Sequence, residues 1–264
     1  MERCRHDGRT TAYRVADRGG TGAPLLCIHG SGGTHEVWKA QLGRLASSRP
    51  VVALDLSGHG RSEDIPTPPG PETLRAYAAD AIAVAEATGA RALCGNSLGG
   101  AVALTAVLDG DFDPDALVLA GSGARLAVLP DLLEWLETDF DRAIAFLHEP
   151  NRLFHTNDDR LQTVTTAAMR EVGAATTYRD FASCDTFDVR DRLDAVTVPT
   201  LALTGEHDEL TPPRYHEYLA ENVPNGRWTP VPDAAHLSML EQPASFNDAV
   251  TSFLSDVLDG DEAG

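Results

Sequence analysis

Short apolar runs alternate with longer helical segments along most of this chain, and each run gives way to Gly, Asp or Ser. Runs of this kind are typical of parallel strands that are buried on both faces. A loosely alternating stretch at residues 11–16 predicts one earlier, half-exposed strand. The alternation of strands with helices predicts a mostly parallel α/β sheet. The apolar runs are PLLCIHG (24–30), PVVALDLSG (50–58), RALCGNS (91–97), ALVLAGS (116–122), PTLALTGEHD (199–208) and RWTPVPDAAH (227–236).

Two of the intervening segments have strong helical patterns. Residues 72–87 are rich in alanine and place apolar residues at helical spacing. Residues 98–108 are apolar on all sides, which predicts a helix packed deeply against the sheet.

One long segment, residues 123–192, has helical patches and no convincing strand. Insertions of this size between two strands are usually functional rather than plain loops. We therefore expect a helical cap, or lid, over the C-terminal edge of a core formed by residues 1–122 and 193–264. Its aromatic residues either bind an apolar substrate group or pack within the lid itself. They are Trp135, Phe140, Phe146, Phe154, Tyr178, Phe181 and Phe187.

Charge excludes several classes of partner. Among 264 residues, 40 acidic and 21 basic residues give a formal net charge of −19. Such a surface repels phosphate groups, which argues against nucleic acid and anionic membranes as partners. Lys39 is the only lysine. A surface rich in Asp and poor in Lys resembles the surfaces of halophilic proteins, in which molar salt screens the repulsion between like charges. A GC-rich genome explains the preference for Arg but not the excess of Asp.

Other features of the composition favour a cytoplasmic enzyme without a metal or cofactor. No apolar run reaches the length of a membrane span, and the N-terminal residues lack the apolar region of a secretory signal. The four cysteines show neither a CxxC pair nor metal-ligand spacing, so no disulfide framework or metal site is expected.

The clearest chemical motif is GNSLGG at residues 95–100, which matches the G-x-S-x-G pattern of a nucleophile elbow. A nucleophilic serine projects from a tight strand-to-helix turn, and small neighbours let the backbone pass without clashes. The pattern alone is weak, but here it lies between a predicted strand and a predicted helix. Ser97 is therefore the candidate nucleophile. The backbone N–H of Leu98, at the start of the helix, is a candidate oxyanion donor.

A second glycine-rich turn, HGSGG at residues 29–33, follows the strand predicted around Leu26. Exposed main chain at a strand end offers N–H groups to an oxyanion, and the amide of Ser31 is our other candidate donor. We expect His29 to support this loop structurally rather than to act as the catalytic base.

A catalytic serine needs a base, and the base needs a carboxylate that fixes its tautomer. Among nine histidines, His236 directly follows the last predicted strand and precedes the final helix. Asp208 follows another predicted strand at the C-terminal edge of the sheet, where ligands bind in open α/β folds. Glu206 is the alternative acid, and Asp55 also lies near a strand end. In chain order the nucleophile Ser97 comes first, then the acid, then the base.

These motifs together resemble α/β-hydrolase-fold serine hydrolases over essentially the whole chain. The resemblance implies an eight-stranded, mostly parallel sheet flanked by helices, with the lid inserted after the sixth strand. It implies supporting roles for Asp55, His59 and Ser62. Ala235 departs from the family, which usually has Gly before the histidine, and costs about 1 kcal/mol if that position needs a positive φ. The matching segments are HGSGG with Trp38 downstream, DLSGHGRS (55–62), GNSLGG (95–100), VPTLALTGEHDELTPP (198–213) and AHLSMLEQP (235–243).

The reaction that the resemblance implies is acyl transfer on a small-molecule ester. Ser97 attacks the carbonyl, His236 takes its proton, and Asp208 stabilises the imidazolium. The backbone N–H groups of Ser31 and Leu98 bind the oxyanion, and water then releases the acid. Carboxylesterase activity is the leading hypothesis.

Alternatives remain open at this point. The asparagine of GNSLGG is similar to the elbow of meta-cleavage-product hydrolases, which cleave C–C bonds, and enol-lactone hydrolysis is a related activity. Those C–C hydrolases commonly have Trp after the catalytic histidine, where this chain has Leu237. Perhydrolase and thioesterase activities are further alternatives. A different class is a catalytically silent ligand-binding protein, against which the intact triad positions argue.

Overall fold

A computed structural model describes residues 1–110 and 112–259 of the chain; Asp111 and residues 260–264, the end of the predicted core, lie outside it. The described residues form one sheet of eight strands in the order β1-β2-β4-β3-β5-β6-β7-β8. In chain order these strands are β1 Glu2–His6, β2 Arg9–Ala16, β3 Leu25–Ile28, β4 Val51–Leu54, β5 Ala92–Asn96, β6 Ala116–Ala120, β7 Thr200–Gly205 and β8 Gly226–Val231.

The strand directions agree with the α/β prediction. Strands β3 to β8 are parallel to one another, while β2 pairs antiparallel with both β1 and β4. The predicted mostly parallel, eight-stranded sheet is thus confirmed. The carboxyl ends of the parallel strands meet at one edge, so the loops after β3, β5, β7 and β8 lie close together.

The first strand was not identified in the apolar pattern. It is polar and mostly exposed at the edge of the sheet, where one apolar face is not required. Its signal was the turn Asp7–Gly8, whose residues both have a positive φ, of 46° and 77°. An Asp-Gly pair with two positive φ angles is typical of a tight hairpin, here between His6 and Arg9.

Helices cover both faces of the sheet, as expected when side chains of a strand alternate between its faces. On one face Leu26 belongs to an apolar cluster with Tyr77 and Leu104. On the other face Leu25 clusters with Phe246. No helix within the described ranges is long and apolar enough to cross a membrane. The α-helices are α1 Lys39–Arg44, α2 Pro71–Thr88, α3 Leu98–Asp109, α4 Pro130–Thr138, α5 Phe140–Leu147, α6 Asp159–Val172, α7 Ala174–Asp185, α8 Pro213–Asn222, α9 Ser238–Glu241 and α10 Pro243–Leu254.

Helices α4 to α7 lie between β6 and β7, and residues 123–192, which contain them, are called the insertion below. The insertion leaves and rejoins the sheet at one place, where Arg125 forms an antiparallel bridge with Asp188 and the amide of Val189 donates to the carbonyl of Ala124 (2.8 Å). It has a small apolar core of its own, formed by Leu132, Leu136, Ala143, Ile144, Leu147 and Met169.

Candidate active site

Ser97 lies where the chain turns sharply from β5 into α3. Its φ of 54° and ψ of −116° are unusual for a residue with a side chain, and such strained residues cluster at functional sites. A Cβ on Gly95 would lie 2.2 Å from the carbonyl oxygen of Gly99, and a Cβ on Gly99 would lie 2.3 Å from that of Ile28. The glycines of the motif are therefore required by the close packing of strand, turn and helix.

His236 and Asp208 follow different strands, β8 and β7, and meet in the folded chain. Nδ1 of His236 lies 2.9 Å from Oδ2 of Asp208, and both side chains are buried. Because an ionised carboxylate only accepts hydrogen bonds, His236 donates its Nδ1–H and keeps a lone pair on Nε2. His236 and Ser97 line the same cavity.

Further contacts hold the carboxylate of Asp208. Its Oδ1 accepts from the amides of Leu210 and Thr211 (both 2.8 Å), and its Oδ2 accepts from the Thr211 hydroxyl (2.8 Å). That hydroxyl also lies 3.2 Å from Nδ1 of His236. Glu206, the alternative acid, has an exposed side chain. The role of Thr211 was missed in the sequence, although a residue shortly after Asp is the usual donor to its side chain.

Ser122 and His216 support the serine turn from the side of β6. The hydroxyl of Ser122 donates to the carbonyl of Ser97, and its amide donates to Nε2 of His216 (both 2.9 Å). His216 is fully buried, and burial lowers its pKa to about 4, so it is neutral near pH 7. In the sequence it was only one of several histidines in helical segments, because its burial is a tertiary property.

His29 lies beneath the glycine-rich loop at residues 29–33. Its Nε2 accepts from the amide of Leu56 (3.0 Å), so the proton is on Nδ1, which donates to the carbonyl of Gly30 (2.9 Å). Burial lowers the pKa of His29 to about 4. Both ring nitrogens are thus engaged by the loop and its neighbours, in line with the structural role expected from the sequence.

The two candidate oxyanion donors flank Ser97. Leu98 is the first residue of α3, where amides have no acceptor within their own helix. Ser31 lines the cavity. Its loop passes close to the serine, since a Cβ on Gly30 would lie 3.1 Å from Cβ of Ser97.

The segment 55–62 lies behind the site and does not line the cavity. The buried carboxylate of Asp55 accepts from the amide and from Nδ1 of His35 (2.9 and 2.8 Å). The hydroxyl of Ser62 donates to the Asp55 carbonyl and accepts from the amide of Ala12. These contacts agree with the supporting roles that the family resemblance implies.

The turn before the histidine explains why Ala235 is tolerated. The residue with a positive φ in this turn is Asp233, at 51°, whereas Ala235 has none. The methyl group at Ala235 therefore causes no backbone strain. The amide of Ala235 instead donates to Oε2 of Glu241 (2.7 Å).

The cavity has a volume of about 280 Å³ and lies between the sheet edge and the insertion. Of the seven aromatic residues of the insertion, only Phe146 and Phe181 line it, and Phe154 and Phe187 are buried elsewhere. The rest of the lining is mainly aliphatic. Among the described residues, no group of three or more His, Cys, Asp or Glu side chains is placed to hold a metal ion.

Known proteins resemble this chain over most of its length. A profile of the alpha/beta hydrolase family matches residues 25–249. Pimeloyl-[acyl-carrier protein] methyl ester esterase of Neisseria meningitidis serogroup A is 32% identical over 258 residues, covering 89% of this chain and 78% of that protein. 3-Oxoadipate enol-lactonase 1 of Acinetobacter baylyi is 27% identical and covers 95% of both chains. A solved structure of a thermophilic esterase has a TM-score of 0.82 at 30% identity and covers 97% of each chain. The chain is therefore a hydrolase that belongs to the alpha/beta hydrolase family.

Proposed function

We propose that this hydrolase is a carboxylesterase that cleaves small-molecule esters through an acyl-enzyme intermediate. Ser97 is the nucleophile, His236 is the general base, and Asp208 holds the base. The observation that carries the proposal is the 2.9 Å hydrogen bond between His236 and Asp208. His236 lines a cavity together with Ser97, a serine that has a positive φ. Acyl transfer needs this combination of an oriented imidazole and a serine at the wall of the substrate cavity.

The reaction takes place in two displacements. Oγ of Ser97 adds to the ester carbonyl as its proton passes to Nε2 of His236, and the imidazolium then protonates the departing alcohol. A water molecule next gives its proton to His236 and attacks the acyl group, and Ser97 is regenerated as the carboxylic acid leaves. In both displacements the amides of Ser31 and Leu98 stabilise the negative charge on the carbonyl oxygen.

The insertion acts as a lid in this proposal, and residues 1–122 and 193–264 form the catalytic core. Side chains of the insertion supply much of the apolar lining of the cavity. An apolar cavity of about 280 Å³ favours an acyl or alcohol group of modest size. Glu209 and Arg214 are the charged side chains of the lining.

The relatives support this class of reaction. Two of them are esterases by name, and the third is an enol-lactonase. A lactone is a cyclic ester, so all three names describe hydrolysis at an ester-type carbonyl, which is the chemistry proposed for Ser97.

The test is hydrolysis of p-nitrophenyl acetate and butyrate in molar KCl by the wild type, Ser97→Ala and Ser47→Ala. Removal of the nucleophile is expected to lower kcat on the order of 10⁴- to 10⁶-fold. Ser47 is an exposed serine, and its variant is expected to match the wild type. Equal turnover by the wild type and Ser97→Ala would show that Ser97 is not the nucleophile.

Enol-lactone or C–C bond hydrolysis is the second candidate, and the enol-lactonase that matches 95% of this chain favours the enol-lactone reaction. Against C–C hydrolysis stands Leu237, at the position where such enzymes commonly have Trp. Ultraviolet assays with a dienol-dione and with p-nitrophenyl esters separate C–C bond hydrolysis from ester hydrolysis. Turnover of the dienol-dione alone would reverse the order of the candidates, and ligand binding without any turnover would favour a silent binding protein.

A further inference from the structure

Asp180, on helix α7 of the insertion, connects three segments of the core. The residue is fully buried, and its carboxylate accepts hydrogen bonds from the amide of Gly32 (3.0 Å), Nε2 of His59 (2.9 Å) and the hydroxyl of Tyr77 (2.8 Å). Gly32 directly follows the proposed oxyanion donor Ser31. A side chain of the insertion thus reaches the backbone of the oxyanion loop.

His59 has a hydrogen-bond acceptor at each ring nitrogen. Its Nε2 faces the carboxylate of Asp180, and its Nδ1 lies 3.1 Å from the carbonyl oxygen of Ser57. Because both partners only accept, the doubly protonated ring is the form that satisfies both of them. Burial alone would lower the pKa of His59, but the charge of Asp180 outweighs burial and raises it. The carboxylate is correspondingly kept ionised within the protein.

The peptide groups on both sides of Ser31 are held. The carbonyl of Gly30 accepts from Nδ1 of His29 (2.9 Å) and from the amide of Gly33 (3.1 Å). In a trans peptide the N–H points away from the C=O, so these two bonds hold the peptide plane of the Ser31 N–H from its Gly30 side. The next amide, that of Gly32, is the one bound by Asp180.

We propose that Asp180 is a positioning residue for the oxyanion hole: through the amide of Gly32 it keeps the N–H of Ser31 aimed at the reacting carbonyl oxygen. This inference rests on the proposed esterase function. It gives the insertion a second task beside covering the cavity, namely to stabilise the transition state through the backbone of the core. Preorganised donors of this kind are effective because they need no reorganisation during the reaction.

A simple structural anchor for α7 is the competing explanation, and the neighbouring residue already provides one. Arg179 donates to the carbonyl of Ile65 (2.9 Å) and to Asp64 (2.7 Å), neither of which lies in the oxyanion loop. If the loss of activity arises only because α7 is held less firmly, removal of other α7 contacts should therefore cause a similar loss. Asp185 offers the matched control, because this exposed carboxylate of α7 accepts from the amide of Val128 (2.9 Å).

The experiment compares Asp180→Ala, Asp180→Asn and Asp185→Ala in the full chain. Ester hydrolysis is measured per active site titrated with an organophosphate, together with the inhibition constant of an alkyl trifluoromethyl ketone, whose adduct carries an oxyanion. We expect Asp180→Ala to lower kcat on the order of 10- to 100-fold and to raise the inhibition constant of the ketone by the same factor. KM should change less than about threefold. Asp180→Asn, which retains an acceptor oxygen, should restore part of the loss, and Asp185→Ala, which removes the bond to the Val128 amide, should resemble the wild type.

Two results would overturn the proposal: equal losses in the Asp180 and Asp185 variants, or a lower kcat with unchanged affinity for the ketone. If Asp180→Ala does not fold, Tyr77→Phe, which removes one donor to the carboxylate, replaces it, with a loss of about two- to fivefold expected. A normal kcat and ketone affinity in that variant and in Asp180→Asn would likewise contradict the role.

Failure of the esterase proposal itself is recognised separately. If the wild type hydrolyses no ester, the amide hydrogen exchange of Gly32 still reports whether Asp180 holds the loop. Exchange that is faster in Asp180→Asn than in the wild type supports the contact, and unchanged exchange contradicts it.

Discussion

The insertion contacts both halves of the proposed site, and it does so in two different ways. Near the base, the amides of His236 and Leu237 donate to the carbonyls of Arg152 and Leu153 (3.1 and 3.0 Å). At the oxyanion loop, the contact with the backbone is made by the buried carboxylate of Asp180, and Sγ of Cys184 lies 3.9 Å from the Ser31 hydroxyl. Backbone contacts depend little on which side chains are present, whereas a buried charge depends on one residue. Substitutions in the insertion should therefore affect the oxyanion side more than the base side.

The largest expected effect concerns the base side, where a core residue rather than the insertion provides the charge. Asp208→Asn should lower kcat on the order of 10⁴-fold, because an amide no longer selects the tautomer with a proton on Nδ1 of His236. Thr211→Val, which removes the hydroxyl donor to Asp208 (2.8 Å), should cost roughly tenfold. Steady-state kinetics with p-nitrophenyl butyrate give both values. A loss below tenfold in Asp208→Asn would remove Asp208 from the mechanism.

Acid should weaken the oxyanion loop and the serine turn together, since one neutral buried histidine supports each. Burial lowers the pKa values of His29, beneath the oxyanion loop, and His216, beneath the serine turn, to about 4. The unfolded chain takes up these protons near pH 6.5, so stability falls as the pH falls from 6.5 to about 4. At pH 5 the loss is about 2 kcal/mol for each histidine.

His59 opposes this trend, because its raised pKa stabilises the fold at low pH and the contribution is lost as the pH rises through that pKa. The gain from His59 is nearly complete near pH 6.5, where the unfolded chain also binds the proton, so the two lowered pKa values make the net change toward pH 5 a loss. Urea unfolding at pH 7 and pH 5 in molar KCl, where surface charges are screened, measures it. An unchanged free energy of unfolding would mean that His29 and His216 are not neutral in the folded protein.

A smaller effect should come from side chains that join the insertion to the histidine loop. Glu241 accepts from the amide of His155 (2.8 Å) with Oε1 and from that of Ala235 (2.7 Å) with Oε2. Glu241→Gln keeps one acceptor and should lower kcat about threefold to tenfold. Arg152→Ala leaves the carbonyl that binds the amide of His236 intact and should change kcat less than about threefold. A loss of kcat in Arg152→Ala as large as in Asp180→Ala would contradict the view that side chains of the insertion matter less on the base side than on the oxyanion side.

Salt should distinguish the effects of surface charge from those of the buried Asp180–His59 pair. If the net charge of −19 reflects a halophilic surface, the melting temperature should rise from low to molar KCl, because screening relieves the repulsion. The kinetic effect of Asp180→Ala should persist across the same range, since water and ions do not reach this buried carboxylate. A flat or falling melting temperature would exclude halophilic adaptation.

The positions of most strands along the chain and the candidate residues could be predicted because they depend on short-range patterns. A parallel strand buried on both faces must be apolar, and the turn at Ser97 needs small residues at Gly95 and Gly99, so both leave a local mark in the sequence. Strand β1 was missed because an exposed edge strand needs no apolar face. The Asp7–Gly8 turn was its one local signal.

What only the tertiary structure decided is which polar residues work together. Asp180 is one of 40 acidic residues, and nothing near it in the sequence distinguishes it from a solvated charge on a helix. Its burial depends on α7 packing over Gly32, His59 and Tyr77, which lie between 103 and 148 residues away along the chain. The sequence by itself therefore determined the fold and the candidate chemical groups through local sterics and burial. The support of those groups follows from contacts between distant segments, which exist only once the sheet and the insertion have packed together.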